Sequence, residues 1–319
     1  MVIIHSNIDN ENEFSKTLGK AIKLKIDPNS EHQTSLPGDH RIYSHVLPEK
    51  SAKWIDEIQN FDVRSDDIWI IGIIKSGTTW NHNIAYKLKY GLECENIADE
   101  LENRFFEKGA MWTDTFDAEI KRYNEMKSPR IFKTHLPAFL LPMGLWTIKP
   151  KIIYTVRNPK DVVLSAYHMM RNGRAHFPGT LENFSELYFN DIGATSPIFD
   201  HLHGFLQLRH LDHVFFAVYE EMVADPFRGM KRICKFLKCP HSDEQLQKLN
   251  ENVSFKKMRE EFPSFFLPDD KSTIPDPDYK FCRKGKVGSY REEMSEELIK
   301  RFDDWIAEKM KDVDFCFQG

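Results

Sequence analysis

Short apolar runs alternate along this chain with longer stretches of helical spacing. The run from Asp67 through Ile74, the stretch Pro129–Pro137 stopped by its proline, the stretch from Pro150 that breaks at Asn158-Pro159, and His213–Tyr219 are short, apolar at their centres and bounded by turn or polar residues. Rich in Ile, Val and aromatics, and too short for buried helices, they predict strands buried on both faces. Helical spacing predicts a short helix over Ser51–Phe61, with Trp54, Ile55 and Ile58 on one side, and another starting after Gly77. A third should begin at Pro159, capped by Asn158, and run through Ser165 and Tyr167 to about Arg171. Further helices are expected near 181–190, 197–210, from Asp225-Pro226 to about Leu237, and around Met294–Met310. Strands alternating with helices predict an α/β fold: a single domain with a central parallel sheet and helices on both faces. Residues 1–50 are polar and weakly periodic, with turn signals at Asp27-Pro28-Asn29-Ser30 and Leu36-Pro37-Gly38-Asp39. They read as a loosely packed N-terminal segment, leaving 51–319 as the domain proper.

Composition narrows the function classes. The chain has 319 residues, 41% of them hydrophobic, enough for a substantial core. A net charge of −5 argues against a nucleic-acid partner, which favours a basic surface. Five cysteines without a C-x-x-C pair fit a reduced, cytoplasmic setting better than a zinc site. The N-terminus lacks the pattern of a secretory signal, and no apolar run approaches the roughly 20 residues that span a bilayer, so membrane insertion is not expected.

The chemistry concentrates where the strands end. After the first run the chain turns abruptly into Lys75-Ser76-Gly77-Thr78-Thr79-Trp80. Gly72 and Gly77 have the five-residue spacing of the nucleotide-triphosphate loop, but Thr78 takes the place of that loop's lysine, and the only lysine is Lys75. This predicts a P-loop-like phosphate-binding strand–loop–helix in which Gly77 allows the turn and free N–H groups with the Thr78 and Thr79 hydroxyls receive an anion. Ligands of parallel sheets sit at the carboxyl ends of the strands. There the other runs deliver Lys133 with His135, Arg157, and Tyr219. Lys133 and His135, two apart, share one face if the strand persists. His135 is the candidate general base, because an ordinary imidazole pKa of about 6.5 suits proton removal near neutral pH.

Four segments taken together resemble the cytosolic sulfotransferases: Lys75-Ser76-Gly77-Thr78-Thr79-Trp80, Lys133-Thr134-His135-Leu136-Pro137, Arg157-Asn158-Pro159-Lys160-Asp161-Val162-Val163-Leu164-Ser165-Ala166-Tyr167-His168, and Arg283-Lys284-Gly285. The resemblance runs from about residue 50 to the C-terminus. It implies transfer of a sulfuryl group from 3′-phosphoadenosine 5′-phosphosulfate (PAPS), leaving 3′-phosphoadenosine 5′-phosphate (PAP), to a hydroxyl or amine. On this resemblance Lys75, Ser76, Gly77, Thr78 and Thr79 cradle the phosphosulfate, and Arg157, Ser165, Arg283, Lys284 and Gly285 clamp the 3′-phosphate. Trp80, Tyr219 and Phe255 surround the adenine, with Ser254 supplying a hydroxyl. His135, Lys133, Lys75 and Ser165 form the catalytic group, with Lys133 stabilising the transferred sulfuryl. A sulfuryl carries less negative charge than a terminal phosphoryl, so lysines can replace magnesium and no metal is expected.

This chain departs from the family pattern in places. Ile73-Ile74 replace Tyr-Pro before the loop lysine, Ser289-Tyr290 replace Asp-Trp after the basic turn, and Val253-Ser254 replace Thr-Ser before Phe255. The family's dimer motif survives only as Thr273-Ile274, with Asp269 and Asp278 where Lys and Glu belong, so dimerisation through it is not expected. The acceptor pocket is expected among Phe105, Phe106, Trp112, Phe139, Leu140, Phe177, Phe262, Phe265 and Phe266, suiting a phenol, steroid or retinoid alcohol. An allylic alcohol could lose sulfate after transfer, for a net dehydration. Two other classes stay open: a P-loop kinase or ATPase, since Val214–Glu220 imitates an acidic metal-binding strand, and a non-catalytic nucleotide-binding protein.

Overall fold

A computed structural model describes residues 3–8, 20–27, 36–40, 43–173, 175–262 and 273–318. The described residues hold two sheets. The first is antiparallel: β1 (Ile3–Asn7), β2 (Ala21–Ile26) and β3 (Ser44–Pro48), in that spatial order. The second is the expected parallel sheet of β4 (Ile68–Ile71), β5 (Ile131–Thr134), β6 (Lys151–Val156) and β7 (Val214–Val218), in the order β5-β4-β6-β7.

Alternation explains how short runs build two cores. Trp69, Ile71, Phe132, Ile152 and Tyr154 face one side, inside the larger cluster. Ile68, Ile70, Ile131, Ile153 and Ala217 face the other, against Ile84, Ala85, Leu88, Met230 and Ile233. Ile71 pairs with both Thr134 and Tyr154, so β4 and β5 end level, β6 runs two residues further to Val156, and their loops leave at the same edge. Below, the buried Arg130 guanidinium donates to both carboxylate oxygens of Asp67 at 2.8 and 2.6 Å and joins the starts of β4 and β5.

The helices that place the site are α1 (Thr78–Tyr90), α2 (Pro159–Asn172), α3 (Ile198–Leu206), α4 (Pro226–Phe236), α5 (Phe255–Glu261) and α6 (Glu296–Lys309). As expected, α2 starts at Pro159 with the Asn158 side chain accepting the Lys160 N–H. Among the described residues no helix is long and apolar enough to cross a membrane.

The N-terminal strands were not expected. In β2, Ile22, Leu24 and Ile26 turn inward while Lys23 and Lys25 turn outward, a period-two pattern obscured by its polar surroundings. Ile22, Leu24, Val46 and Leu47 join the same buried cluster as the parallel sheet's Trp69 and Tyr154. On β3, Ser44 donates both its N–H and its hydroxyl to Asp200 of α3 at 2.8 and 2.9 Å, and the Val46 N–H reaches the Ser196 carbonyl.

Candidate active site

Between β4 and α1 the chain makes the turn that its sequence demands. Lys75 and Gly77 both have positive φ, 62° and 102°, and a side chain on Gly77 would press on the Tyr219 ring. The Ser76 hydroxyl points down, not into the loop's concavity. It donates to the Ile73 carbonyl at 2.7 Å, lies 2.7 Å from the Thr155 hydroxyl, and so fastens the loop to β6. Gly77 caps α1 without a side chain, leaving the first N–H groups of the helix for an anion.

A cavity of about 920 Å³ opens over these strand tips. Lys75, Gly77, Thr78, Thr79, Trp80, Lys133, His135, Arg157, Ser165, Tyr219, Ser254, Phe255, Arg283, Lys284 and Gly285 all line it. Of the residues expected at the donor and catalytic positions, only Ser76 lies beneath the surface. Arg157 ties this region together: it donates to the Lys75 carbonyl and the Lys286 carbonyl, each at 3.2 Å, and its guanidinium lies 4.1 Å from the Tyr219 ring centre. Asp161, one turn along α2, accepts from Gly288 N–H, the Ser289 hydroxyl and Tyr290 N–H at 2.7, 3.0 and 3.2 Å. The basic turn is thereby anchored to the helix that carries Ser165. Trp80 meets Tyr219 edge-on, with ring centres 6.1 Å apart, and its indole N–H donates to the Val253 carbonyl. Ser254, expected as a ligand hydroxyl, also accepts the Lys257 N–H as the cap of α5.

Three cationic or basic groups crowd the junction of the cavity. Burial, with help from the charges of Arg157, Lys133 and Arg283, lowers Lys75 to about 7. Burial lowers Lys133 to about 8, while Glu107 works in the opposite direction. His135 falls to about 3, chiefly through burial and then through Lys133. The expectation of an ordinary imidazole pKa is therefore corrected: this ring is neutral across the whole physiological range. Its tautomer follows from geometry. Nδ1 lies 2.6 Å from the Gly72 carbonyl oxygen, which can only accept, so Nδ1 carries the proton and Nε2 keeps its lone pair. Glu107 accepts the His135 backbone N–H at 2.7 Å and is itself raised to about 7 by burial.

The acceptor residues fared differently. Phe105 lines the cavity, its ring 5.2 Å from that of His135. Phe106, Phe139, Leu140, Phe177 and Phe262 do not; all are buried in packed clusters, Phe106 against Phe61, Trp69 and Phe132, and Phe177 against Phe184. A large aromatic in a loop is as readily a core residue as a pocket wall, and apolar character alone cannot separate the two. Phe265, Phe266 and Asp269 lie outside the described residues, as does the side chain of Trp112. The apolar lining of the cavity comes instead from Ala21, Val46 and Leu47 of the N-terminal sheet with Ile74, Met111, Met169 and Met170. One signal was available for Met169: it stands four residues after Ser165 on α2, hence on the same face. The Glu220 carboxylate, which suggested a kinase-like metal strand, accepts the Asn158 backbone N–H at 2.9 Å and does not line the cavity.

Residues 65–314 match the sulfotransferase domain. This chain belongs to the sulfotransferase family. Human Sulfotransferase 1C2 is 29% identical over 312 residues, spanning 96% of this chain and 99% of that protein. The structure of retinol dehydratase in complex with retinol and PAP superposes with a TM-score of 0.76 at 22% identity, over 100% of this chain and 99% of that one. Mouse sulfotransferase SULT7A1 complexed with PAP gives a TM-score of 0.68 at 25% identity, over 83% and 92% of the two chains. The protein is thus a PAPS-dependent sulfotransferase, as the four sequence segments implied.

Proposed function

We propose that this sulfotransferase moves the sulfuryl group of PAPS onto the hydroxyl of an apolar small molecule, with His135 as the base. The observation that carries the reading is that one cavity is lined by the anion loop and the basic turn, by Met and aliphatic side chains, and by Lys133 and His135. Thr78, Thr79 and the N–H groups at the start of α1 hold the 5′-phosphate, with Lys75 beside the oxygen that leaves. Arg157, Ser165, Arg283, Lys284 and Gly285 hold the 3′-phosphate, and Trp80, Tyr219 and Phe255 enclose the adenine.

His135 Nε2 accepts the acceptor's hydroxyl proton while that oxygen forms its bond to sulfur and the sulfur–oxygen bond to the 5′-phosphate breaks. The Gly72 carbonyl, hydrogen-bonded to Nδ1–H, steadies the imidazolium that results. Lys133 faces the transferred group, whose negative charge favours the protonated ammonium. Positioning and electrostatics supply most of the rate, as in phosphoryl transfer. These lysines occupy the place of a metal, so chelators should leave turnover unchanged.

Supporting an apolar acceptor are Ala21, Val46, Leu47, Ile74, Met169 and Met170, which offer few polar groups to a substrate ring. Retinol dehydratase, of the same fold, holds retinol in its structure. Incubation with PAPS carrying labelled sulfate and a panel of phenols, steroids and retinoid alcohols tests the proposal. Label should move to an apolar acceptor, and His135→Ala should sharply lower transfer while PAP still binds. Undiminished transfer in that variant would remove His135 from the mechanism. With an allylic alcohol, product analysis separates a stable ester from elimination to the diene.

A further inference from the structure

Arg283 and Lys284 stand in the cavity wall, yet each is already engaged from behind. Glu293 accepts from Arg283 Nη1 at 2.5 Å and from Lys284 Nζ at 2.7 Å through the same oxygen, and its other oxygen lies 2.5 Å from His168 Nε2. Glu292 lies 2.7 Å from Lys284 and 3.6 Å from Lys286. Across the turn, Asp161 stands 3.7 Å from Arg157. Within this set of ion pairs four cations meet three carboxylates, so the clamp keeps a single net positive charge. Arg283, Lys284 and Arg157 line the cavity whereas Glu292 and Glu293 do not, so the carboxylates touch the cations without blocking the ligand's approach.

We infer that Glu293, seconded by Glu292, attenuates the clamp for the donor's 3′-phosphate and so weakens the hold on donor and product alike. The inference rests on the reading that the Arg283–Gly285 turn binds that phosphate. A phosphate dianion entering the turn shares Arg283 and Lys284 with a carboxylate on their far side. The full carboxylate repels the incoming charge over a few ångströms, an effect that added salt screens. The arrangement keeps Glu293 ionised: the Lys284, Arg283 and His168 contacts outweigh its partial burial and hold its pKa near 2. Because sulfuryl transfer leaves PAP in the same clamp, a weaker grip favours product departure, a step that limits many enzymes.

Calorimetric titration of the full chain with PAP, and separately with adenosine 5′-monophosphate, which lacks the 3′-phosphate, tests this. Glu293→Gln keeps the side chain's size and removes only its charge. Its PAP affinity should rise about threefold to tenfold, its affinity for adenosine 5′-monophosphate should stay the same, and the gain should shrink as salt is raised. Glu292→Gln, further from Arg283, should show a smaller gain of the same kind. Unchanged or weaker PAP binding by Glu293→Gln would mean that Glu293 fixes the two cations in place and does not attenuate them, and the inference would fall. Equal affinity of the unaltered chain for the two nucleotides would overturn the clamp reading itself, and with it this inference; only in that case does the 3′-phosphate fail to register at all.

Discussion

The two parts of one cavity, the proposed donor end and the proposed acceptor end, are built on different principles. At the donor end the backbone does the shaping: β4 stops, Lys75 and Gly77 take positive φ, Ser76 pins the loop to Thr155, and Asp161 gathers three groups of residues 288–290. Each device needs a particular residue type at a particular step of the chain. The apolar lining proposed for the acceptor is assembled from side chains of distant segments, Ala21 and Val46 from one sheet and Met169 and Met170 from a helix more than a hundred residues later. There any apolar residue of suitable volume will serve. A site for a fixed, doubly charged ligand leaves a motif in the sequence, and a site for a greasy one leaves only a composition.

That contrast can be broken, first and most severely, at the junction. His135→Ala should lower the rate of transfer by about 10²- to 10⁴-fold, with PAP affinity held within about twofold, in single-turnover assays with labelled PAPS. Next comes the donor end. Gly77→Val forces a β-branched residue to φ 102° against Tyr219. It should weaken PAP binding at least about tenfold and lower stability by roughly 1–3 kcal/mol, measured by nucleotide titration and thermal melting. At the acceptor end, Val46→Phe should raise KM for a bulky steroid about tenfold while leaving the Kd for PAP unaltered, the pattern expected when a buried wall gains volume. An equal loss with every acceptor, together with a fall in melting temperature, would show that Val46 serves the core alone.

The smallest effect is a matter of pH. Lys75 and Lys133, lowered to about 7 and about 8 chiefly by burial, attract the donor only when charged. Their charge is complete below about pH 6 and is lost as pH rises through 7 and 8, so kcat/KM for PAPS should fall severalfold between pH 7 and 9. Bound donor favours protonated lysine, so kcat should decline at a higher pH than kcat/KM. His135, held near 3 mainly by burial, should contribute no acid limb around pH 6.5. A kcat/KM profile flat from 7 to 9, or an imidazole limb near 6.5, would contradict these assignments.

The sequence was most legible where geometry left no choice of residue. Apolar runs flanked by turn residues located the four parallel strands, although β4 and β5 stop three residues before Ile74 and Pro137, and Asn158-Pro159 announced the start of α2. Strand-end logic then brought Lys75, Lys133, His135, Arg157 and Tyr219 onto one cavity. What escaped depended on long-range packing. The inward face of β2 is a three-residue alternation inside a polar segment, and nothing local says that it covers a pocket. Phe105, Phe106 and Phe139 are all buried, yet only Phe105 lines the cavity, an outcome decided by tertiary packing and not by residue type. Likewise, the depressed pKa of His135 comes from burial next to Lys133, a property of the assembled edge and not of the Lys-Thr-His step.

In the proposed reaction, donor and acceptor meet at His135 within one continuous cavity. A crystal structure of the protein with PAP and an apolar phenol tests that most directly. The 5′-phosphate should lie against the N–H groups of residues 77–79, the 3′-phosphate between Arg157 and Arg283, and the phenol oxygen within hydrogen-bonding distance of His135 Nε2, its ring against Val46 and Met169. A phenol oxygen out of reach of His135, or PAP seated away from Thr78 and Arg157, would contradict it.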